Sequence, residues 1–405
     1  MDKEEIIKKS FQNLKRDMDS LKLNLSTLSE KIKDLESALP DKEKPIYTSR
    51  PFINSDIKKA VLDVLDSRIF SMGPKVKEFE DKFADFCGAK HAIALSNGTI
   101  AIEIALKSLG IKKGDEIIIP SHTTMPTIEP ILQLRAKPVF IDIEEKTFTL
   151  NTKKIKEAIT KKTKAVMPVH LYGNPANLQE IKEICNKNSL FLIEDCAQAH
   201  NARYDNKHVG TFGDAGCFSF YPTKNLTVCG EGGMLITNSD EINRKARMLI
   251  NHGEQERYNH VILGSNHRLS EIHCAIGIKQ LELLPQFTKR RREIAELYSS
   301  LLKNPKIILP TEQKNSRHVY HLYVIRVAPN QRGKIIHALK EQNIHCGIHY
   351  PIPCHQQKVI KSLFPYLPKL PITERISKEI ISLPIYPELT NEQVEFISRK
   401  LLEKL

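Results

Sequence analysis

The stretch FSFYPTKNLTVCGEGG, which runs from Phe218 to Gly233, places one lysine between an apolar strand-like segment and a glycine-rich turn. Ser219 ends the apolar segment, and Lys224 follows it in the turn. Burial beside a strand end can lower the pKa of a lysine, which makes its amine nucleophilic toward a carbonyl group. The glycines after it let the backbone pass close to a ligand. The stretch therefore predicts a reactive site at the end of a strand.

Seven short apolar segments alternate with helical patterns along the chain. Strands that are buried on both faces read as continuous apolar runs, and they occur in parallel sheets covered by helices. The pattern predicts an α/β fold with a mixed, largely parallel seven-stranded sheet. The predicted strands are His91–Ser96, Glu116–Pro120, Pro138–Ile143, Lys164–Tyr172, Leu190–Ala197, Ala215–Phe220 and Gly232–Asn238.

A long helical pattern begins near residue 270, and a smaller α+β region with the strand-like segment YHLYVIRV follows it. A chain of 405 residues is long enough for two domains of ordinary size. We therefore predict a large domain over residues 51–290 and a small C-terminal domain over residues 291–405. A linker is expected over residues 40–50.

The first 39 residues carry apolar side chains at alternating spacings of four and three, ending at Leu39-Pro40. Such a heptad pattern predicts a coiled coil over residues 1–39 that joins copies of the chain or tethers it to a partner. The alternative is a single amphipathic helix packed on the protein's own body. The heptad residues are Ile7, Phe11, Leu14, Met18, Leu21, Leu25, Leu28, Ile32, Leu35 and Leu39.

The composition is that of an ordinary soluble protein, with 40% hydrophobic and 27% charged residues. Neither a secretory signal nor a membrane-spanning run is evident, and the eight cysteines are scattered. These features predict a cytoplasmic protein with reduced thiols. The net charge of +13 raises the possibility of nucleic-acid binding. The densest basic run, KRRRE at 289–293, lies in a helical pattern and is interpreted as a solvated face, so no nucleic-acid partner is predicted.

Two other predicted strands end in candidate site residues. The motif SNGT brings Gly98 and Thr99 to a helix start, where free N–H groups favour a phosphate, although a simple capped helix is equally compatible. Glu194 and Asp195 end an apolar strand, where a carboxylate needs a cation, a metal or a protonated ring nitrogen; a structural ion pair is the alternative. Gln198 offers an amide to a phenolic oxygen. A phosphate cradle, a carboxylate and an amine together indicate pyridoxal phosphate chemistry.

From about Ile46 onward, the chain resembles the DegT-type nucleotide-sugar aminotransferases. The resemblance rests on the ordered motifs SNGT, GDEIIIPSHTT, AKPVFIDI, PVHLYGNPAN, IEDCAQAH, FSFYPTKNLTVCGEGG, LGSNHRLSEIHCAIG, GIHYPIPCHQ and SLPIYPELT. It implies a fold-type I enzyme that depends on pyridoxal 5'-phosphate and works as a homodimer with active sites at the subunit interface. It also implies amino transfer from L-glutamate to a keto group of a nucleotide-linked sugar, for amino-sugar and surface-polysaccharide biosynthesis.

The resemblance assigns roles by position. Lys224 would form the Schiff base and shuttle the proton, Asp195 would pair with the pyridinium nitrogen, and Gln198 would contact the ring hydroxyl. The presence of Lys224, rather than the histidine of related sugar dehydratases, implies amino transfer. The expected phosphate ligands are Gly98, Thr99, Ser219 and, from the neighbouring subunit, Asn266.

Other residues have weaker assignments. Many relatives stack an aromatic side chain on the pyridoxal ring where this chain has Thr124, so either His122 stacks instead or the packing is looser. His170 is expected to support the site rather than to catalyse. The substrate candidates, each of which could equally be structural, are Arg268, His349 and Tyr350.

Two other functions remain open from the sequence. One is transamination of a cyclic polyol or another non-nucleotide ketone, and the other is a pyridoxal-phosphate-binding regulator or scaffold that works through the coiled coil. A metal enzyme is not predicted, because the histidine–cysteine dipeptides lack partners at ligand spacing. A serine or cysteine hydrolase is not predicted either, because no GxSxG motif is present.

Overall fold

The computed structural model describes Ser10 and residues 12–21, 23–24, 27–28 and 45–405. Its strands lie between residues 91 and 383 and are numbered in chain order. They are β1 (His91–Leu95), β2 (Glu116–Pro120), β3 (Lys137–Ile141), β4 (Thr163–Val166), β5 (Phe191–Asp195), β6 (Arg203–Tyr204), β7 (Lys207–His208), β8 (Ala215–Ser219), β9 (Gly233–Thr237), β10 (Glu254–Glu256), β11 (Asn259–His260), β12 (Ser316–Arg317), β13 (Tyr323–Arg326) and β14 (Ile380–Leu383).

The helices between residues 55 and 402 are numbered in the same way. They are α1 (Ser55–Ser67), α2 (Pro74–Cys87), α3 (Gly98–Ser108), α4 (Met125–Gln133), α5 (Thr152–Ala158), α6 (Leu178–Lys187), α7 (Asp240–Leu249), α8 (Glu271–Leu301), α9 (Pro329–Lys340), α10 (Lys358–Leu363), α11 (Pro371–Glu379) and α12 (Asn391–Leu402).

A seven-stranded sheet forms the centre of the molecule, with the strand order β1-β9-β8-β5-β4-β2-β3. β9 runs antiparallel to both of its neighbours, and the other pairs are parallel. All seven predicted strands belong to this sheet, so the predicted α/β architecture is confirmed. The fourth prediction, Lys164–Tyr172, is wrong at its end. The strand ends at Val166, and the chain turns through a short 3-10 segment at Leu171–Gly173, where Tyr172 has a φ of 60°.

Helices cover both faces of the sheet, which explains why the strands are continuously apolar. α3, α4 and α7 pack on one face, and Ile117 and Ile119 of β2 lie in that core. α2 and α8 cover one half of the other face, where Phe79 and Phe83 contact the strands. α5 and α6 cover the remaining half around Ile118. The sheet is therefore a buried layer between two helical layers.

The direction of the strands brings three chain segments together at one edge. β1 and β8 are both antiparallel to β9, and β5 is parallel to β8, so these three strands point the same way. α3 begins shortly after β1, Asp195 is the last residue of β5, and Ser219 is the last residue of β8. Ligands of such sheets bind outside these carboxyl ends.

A second hydrophobic core lies in the C-terminal part of the chain. β13 and β14 pair antiparallel, and α9, α12 and the second half of α8 pack around them. Ile46, which falls in the predicted linker, is buried in this core and exchanges backbone hydrogen bonds of 2.8 Å with Asn343 and His345. The predicted domain boundary at residue 290 lies inside α8 and stays a prediction.

Some of the coiled-coil prediction lies outside the described residues. This applies to Ile7, Phe11, Leu25, Ile32, Leu35 and Leu39. Residues 12–21 are helical, and Leu14, Met18, Leu21 and Leu28 are each more than half exposed. These four side chains therefore do not pack on the body of the protein, and the coiled coil stays a prediction. Among the described helices, none is long and apolar enough to cross a membrane.

The interpretation of KRRRE as a solvated face is wrong for its central arginine. α8 is a continuous helix of 31 residues, and Arg291 on it is 3% exposed. Its Nη1 group donates to the carbonyl oxygens of Tyr320 at 3.1 Å, His321 at 3.3 Å and Ile385 at 3.0 Å. Burial lowers the pKa of Arg291 to about 10. This arginine therefore fastens α8 to two loops of the C-terminal core.

We expect Arg291→Met to lower the free energy of unfolding by about 3 kcal/mol, because three buried carbonyl groups lose a charged donor. Urea unfolding followed by circular dichroism measures the loss. The matched control is Lys289→Met, two residues away on the exposed side of α8, which should change stability by less than about 0.5 kcal/mol. Equal midpoints for the two variants would contradict the structural role of Arg291.

Candidate active site

A cavity of about 610 Å³ opens at the carboxyl ends of β1, β5 and β8. It brings together predicted site residues that are far apart in sequence. Those that line it are Gly98, Thr99, Thr124, Asp195, Gln198, Ser219, Lys224 and Tyr350. A cavity of this size suits a cofactor and part of a substrate.

The start of α3 forms one end of the cavity. Asn97 caps the helix, because its Oδ1 atom accepts the N–H group of Ile100 at 2.9 Å. Since Asn97 is the cap, the hydroxyl of Thr99 is not needed for that purpose. The first N–H groups of a helix have no acceptor within the helix and favour an anion. A Cβ atom on Gly98 would lie 2.7 Å from the Cβ of Ser219, so only glycine allows this close approach. The end of the cavity fits a phosphate group.

Asp195 lies deep in the cavity and is 3% exposed. Its Oδ2 atom accepts the hydroxyl of Thr127 at 2.9 Å, and its Oδ1 atom accepts the N–H group of Ala197 at 3.0 Å. Burial raises the pKa of Asp195, and these two bonds and the charge of Lys224 act in the opposite direction. Both hydrogen-bond donors are neutral, so neither compensates the charge of an ionised Asp195, which would suit a cation in the cavity such as a protonated ring nitrogen.

Lys224 lies in the turn after β8 and is partly buried at the cavity. Its backbone N–H group donates to the carbonyl oxygen of Tyr221 at 2.9 Å, which closes the turn. Burial lowers the pKa of Lys224 to about 8, and the negative charge of Asp195 limits the shift. A lysine with this pKa is partly neutral near neutral pH, as a nucleophile or a proton carrier must be.

Gln198 is held by two hydrogen bonds that fix the orientation of its amide. Its Oε1 atom accepts the backbone N–H group of Tyr172 at 2.6 Å, and its Nε2 atom donates to the hydroxyl of Tyr350 at 2.9 Å. The hydroxyl of Tyr172 donates in turn to the carbonyl oxygen of His349. An amide nitrogen carries two hydrogens, so the second N–H group of Gln198 can serve a ring hydroxyl.

His122 does not belong to the described cavity lining, whereas Thr124 does. The His122 ring is 1% exposed, and its Nε2 atom lies 2.8 Å from the hydroxyl of Tyr172. Thr124 hydrogen-bonds Tyr350. The aromatic side chains that line the cavity are Tyr221 and Tyr350. The geometry therefore gives no support to stacking by His122.

Three further candidates lie outside the cavity lining within the described chain. Arg268 donates to Asn251 Oδ1 at 2.6 Å and lines a separate cavity of about 710 Å³, and Asn266 is exposed. His349 Nδ1 lies 2.8 Å from the hydroxyl of Ser382, and burial lowers the pKa of His349 to about 4. Arg268 and Asn266 therefore cannot be placed at this chain's own cavity, and His349 supports its wall.

His170 and Glu194 form a buried polar cluster behind the site. His170 accepts the N–H group of Ala176 on Nδ1 at 3.0 Å, so its Nε2–H group donates to Glu194 at 3.1 Å. Glu194 also accepts the N–H groups of Gly210, Phe212 and Gly213 at 2.7 to 3.0 Å. Cys196 lies beside them within 4.8 Å. Because both histidine nitrogens are already hydrogen-bonded within the protein, the cluster is structural rather than a metal site.

Sequence reasoning missed two residues that shape the site. Asn97 stands one residue before the helix start in SNGT, and asparagine at that position is a readable capping signal. Thr127 lies in a helix 68 residues before Asp195, and only the folded chain brings the two together. No local pattern marks such a contact.

Known proteins have sequences and structures similar to those of this chain. The profile of the DegT/DnrJ/EryC1/StrS aminotransferase family matches residues 51–402. The dTDP-3-amino-3,6-dideoxy-alpha-D-galactopyranose transaminase of Aneurinibacillus thermoaerophilus is 42% identical over 340 residues, covering 84% of this chain and 93% of the relative. The pleiotropic regulatory protein of Geobacillus stearothermophilus is 40% identical over 354 residues, covering 87% and 95%.

A solved structure shows the same fold. The crystal structure of S. venezuelae DesV in complex with a ketimine intermediate superposes with a TM-score of 0.83 at 35% identity, covering 86% of this chain and 94% of that chain. The family match spans more than half of the chain. The chain therefore belongs to the DegT/DnrJ/EryC1/StrS aminotransferase family and is a pyridoxal-phosphate-dependent aminotransferase.

Proposed function

We propose that the protein transfers an amino group from L-glutamate to a keto group of a nucleotide-linked sugar, for the synthesis of amino sugars of surface polysaccharides. The observation that carries the proposal is one cavity that holds an amine of lowered pKa, a buried carboxylate and a glycine-lined anion cradle. The names of the relatives support a nucleotide-linked substrate, since they include dTDP-sugar and UDP-sugar aminotransferases. The net charge of +13 suits a substrate that carries phosphates.

The residues of the cavity fit pyridoxal phosphate. Gly98, Thr99 and Ser219 would hold the phosphate, Asp195 would hold the ring nitrogen in its protonated form, and Gln198 would bind the ring hydroxyl. When bound, the cofactor supplies an electron sink for the carbon that loses its proton.

Lys224 is the residue that moves the proton. Its neutral Nζ atom accepts the proton that leaves the α-carbon of the amino donor. In the second half of the reaction it delivers a proton to the substrate, which leaves as an amino sugar. The low pKa of Lys224 favours this exchange, because the amine both accepts and releases a proton near neutral pH.

A homodimer would account for the two candidates that lie away from the chain's own cavity. Asn266 is exposed, and Arg268 lies beside Met72 and Asn251 at the rim of a second cavity. We place both at the interface, where they would reach the cavity of the partner copy. All eight cysteines are free thiols, which suits the reducing cytoplasm.

We expect the visible absorbance band of the purified protein to bleach on addition of L-glutamate. The band should return when a nucleotide-linked keto-sugar is added, because this acceptor removes from the enzyme the amino group that L-glutamate supplied. Lys224→Ala should still bind the cofactor without a covalent bond. The bleaching and the return of the band should both be at least about 1000-fold slower in this variant.

The acceptor separates this function from its rivals. Recovery of the band with a cyclic polyol ketone but with no nucleotide-linked sugar would favour the non-nucleotide substrate. A band that no amino donor changes would contradict amino transfer from L-glutamate and favour the regulator, a role suggested by the name of the Geobacillus relative.

The capture of pyridoxal phosphate by the apoprotein should depend on pH through Lys224. Because only the neutral amine reacts, we expect the rate to rise about tenfold per pH unit below the pKa and to level off above a pH of about 8. The charge of Asp195 raises the pKa of Lys224, so Asp195→Asn should move the plateau to lower pH. Stopped-flow absorbance between pH 5.5 and 9.5, as a rough range, measures both profiles. A rate that is still rising tenfold per pH unit at the upper end of this range would refute this account.

The N-terminal segment should set the size of the assembly. We expect removal of residues 1–44 to leave a dimer with activity per site within about twofold of the full chain, because Ile46 and the cavity stay intact. Light scattering after size exclusion measures the mass. Leu14→Ser with Leu21→Ser should reduce the mass in the same way, and Lys15→Ser, on the same helix, should not. If the number of subunits in the assembly is the same after truncation, the result argues against the coiled coil.

A further inference from the structure

Two buried threonines that line the active-site cavity form a short chain of hydroxyl groups beside Asp195. Thr127, the third residue of α4, is 2% exposed and donates its hydroxyl to the Oδ2 atom of Asp195 at 2.9 Å. The hydroxyl of Thr123, also 2% exposed, lies 3.0 Å from that of Thr127. A threonine has one hydroxyl hydrogen, and an ionised carboxylate can only accept. Thr123 is therefore the donor to Thr127, and the chain runs from Thr123 through Thr127 to Asp195.

Thr127 lies at the N-terminal end of its helix. α4 starts at Met125, so Thr127 lies in its first turn, where the N–H groups carry a partial positive charge. The residue before the helix, Thr124, makes no side-chain cap and instead hydrogen-bonds Tyr350. The first turn of α4 therefore serves the carboxylate through Thr127 and the opposite wall of the cavity through Thr124.

We propose that Thr127 is a positioning residue that keeps Asp195 ionised and oriented toward the ring nitrogen of the cofactor, with Thr123 as its own hydrogen-bond donor. The inference rests on the role of Asp195 in the proposed function. Thr127 does not need to touch the cofactor to act, since it acts through the carboxylate.

Several opposing influences set the pKa of Asp195, and the hydrogen bond from Thr127 is one of them. Burial is the largest influence and favours the protonated form, whereas the bonds from Ala197 and Thr127 and the neighbouring Lys224 and His170 favour the ionised form. Loss of one donor would raise the pKa of Asp195 and draw the shared proton from the ring nitrogen to the carboxyl group. The other titratable groups that interact with Asp195 are Cys196, Cys217 and Tyr350.

The test measures the protonation state of the cofactor's ring nitrogen rather than the enzyme's activity. Protein loaded with pyridoxal phosphate that carries ¹⁵N in the ring gives a nitrogen chemical shift that distinguishes the protonated from the neutral ring. We expect Thr127→Val, which keeps the shape and removes the donor, to move the midpoint of the nitrogen titration about one pH unit lower. Thr127→Ser, which keeps the donor, should match the wild type, and Thr123→Val should give a smaller shift in the same direction.

The matched control is another buried pair of threonines. Thr147 and Thr149 bond through their hydroxyls at 2.9 Å and do not line the active-site cavity. Thr149→Val should leave the nitrogen titration unchanged. A wild-type titration in Thr127→Val would overturn the proposal, and so would an equal shift in Thr127→Ser. If Thr127→Val fails to fold, the absence of any shift in Thr123→Val overturns it instead.

Asp195→Asn separates this inference from the proposed function. An asparagine cannot hold the ring nitrogen protonated as an anion does, so this variant should lose the protonated signal at neutral pH. If Asp195→Asn keeps that signal, the assignment of Asp195 itself fails. If it loses the signal while Thr127→Val does not change it, Asp195 stands and only the role of Thr127 fails.

Discussion

The burial of one carboxylate is the constraint on which the rest of the site depends. Asp195 ends an apolar strand at the bottom of a cavity, where an uncompensated negative charge is costly. The fold meets that cost with a backbone N–H group, a threonine hydroxyl and a nearby lysine. The start of α4, the turn after β5 and the turn after β8 must therefore all converge on the same point.

Lys224 and Asp195 act on each other in opposite senses. Burial removes charge from both, since it lowers the pKa of the lysine and raises that of the acid, while their mutual attraction restores charge to both. The result is a lysine that can exchange a proton near neutral pH beside an acid whose pKa lies above its ordinary value. Such mutual adjustment is typical of active sites and less common in structural ion pairs, where both partners remain ionised.

The strands and much of the site are predictable from one sequence pattern, in which apolar runs are followed by polar residues. Continuous apolar runs mark strands buried on both faces, and polar residues just after them mark the ligand-binding edge, as Asp195 and Ser219 do. The sequence pattern gives the wrong prediction where contacts with distant segments determine the conformation or the burial of a residue. The apolar segment that contains Tyr172 predicts a strand, whereas the chain turns there and the backbone N–H group of Tyr172 bonds Gln198. The basic run around Arg291 predicts a solvated face, because no local pattern shows the three carbonyl groups to which this arginine donates.

The burial of Ile46 has a mechanical consequence. This residue pairs with the backbone on either side of Ile344, and the same segment continues through His349 to Tyr350, which lines the cavity. A force on the backbone just before Ile46 would pass into this backbone pairing. It therefore reaches the cavity through a few residues of continuous backbone rather than across the whole molecule. One short backbone segment thus links the start of the folded body at Ile46 to a wall of the active site.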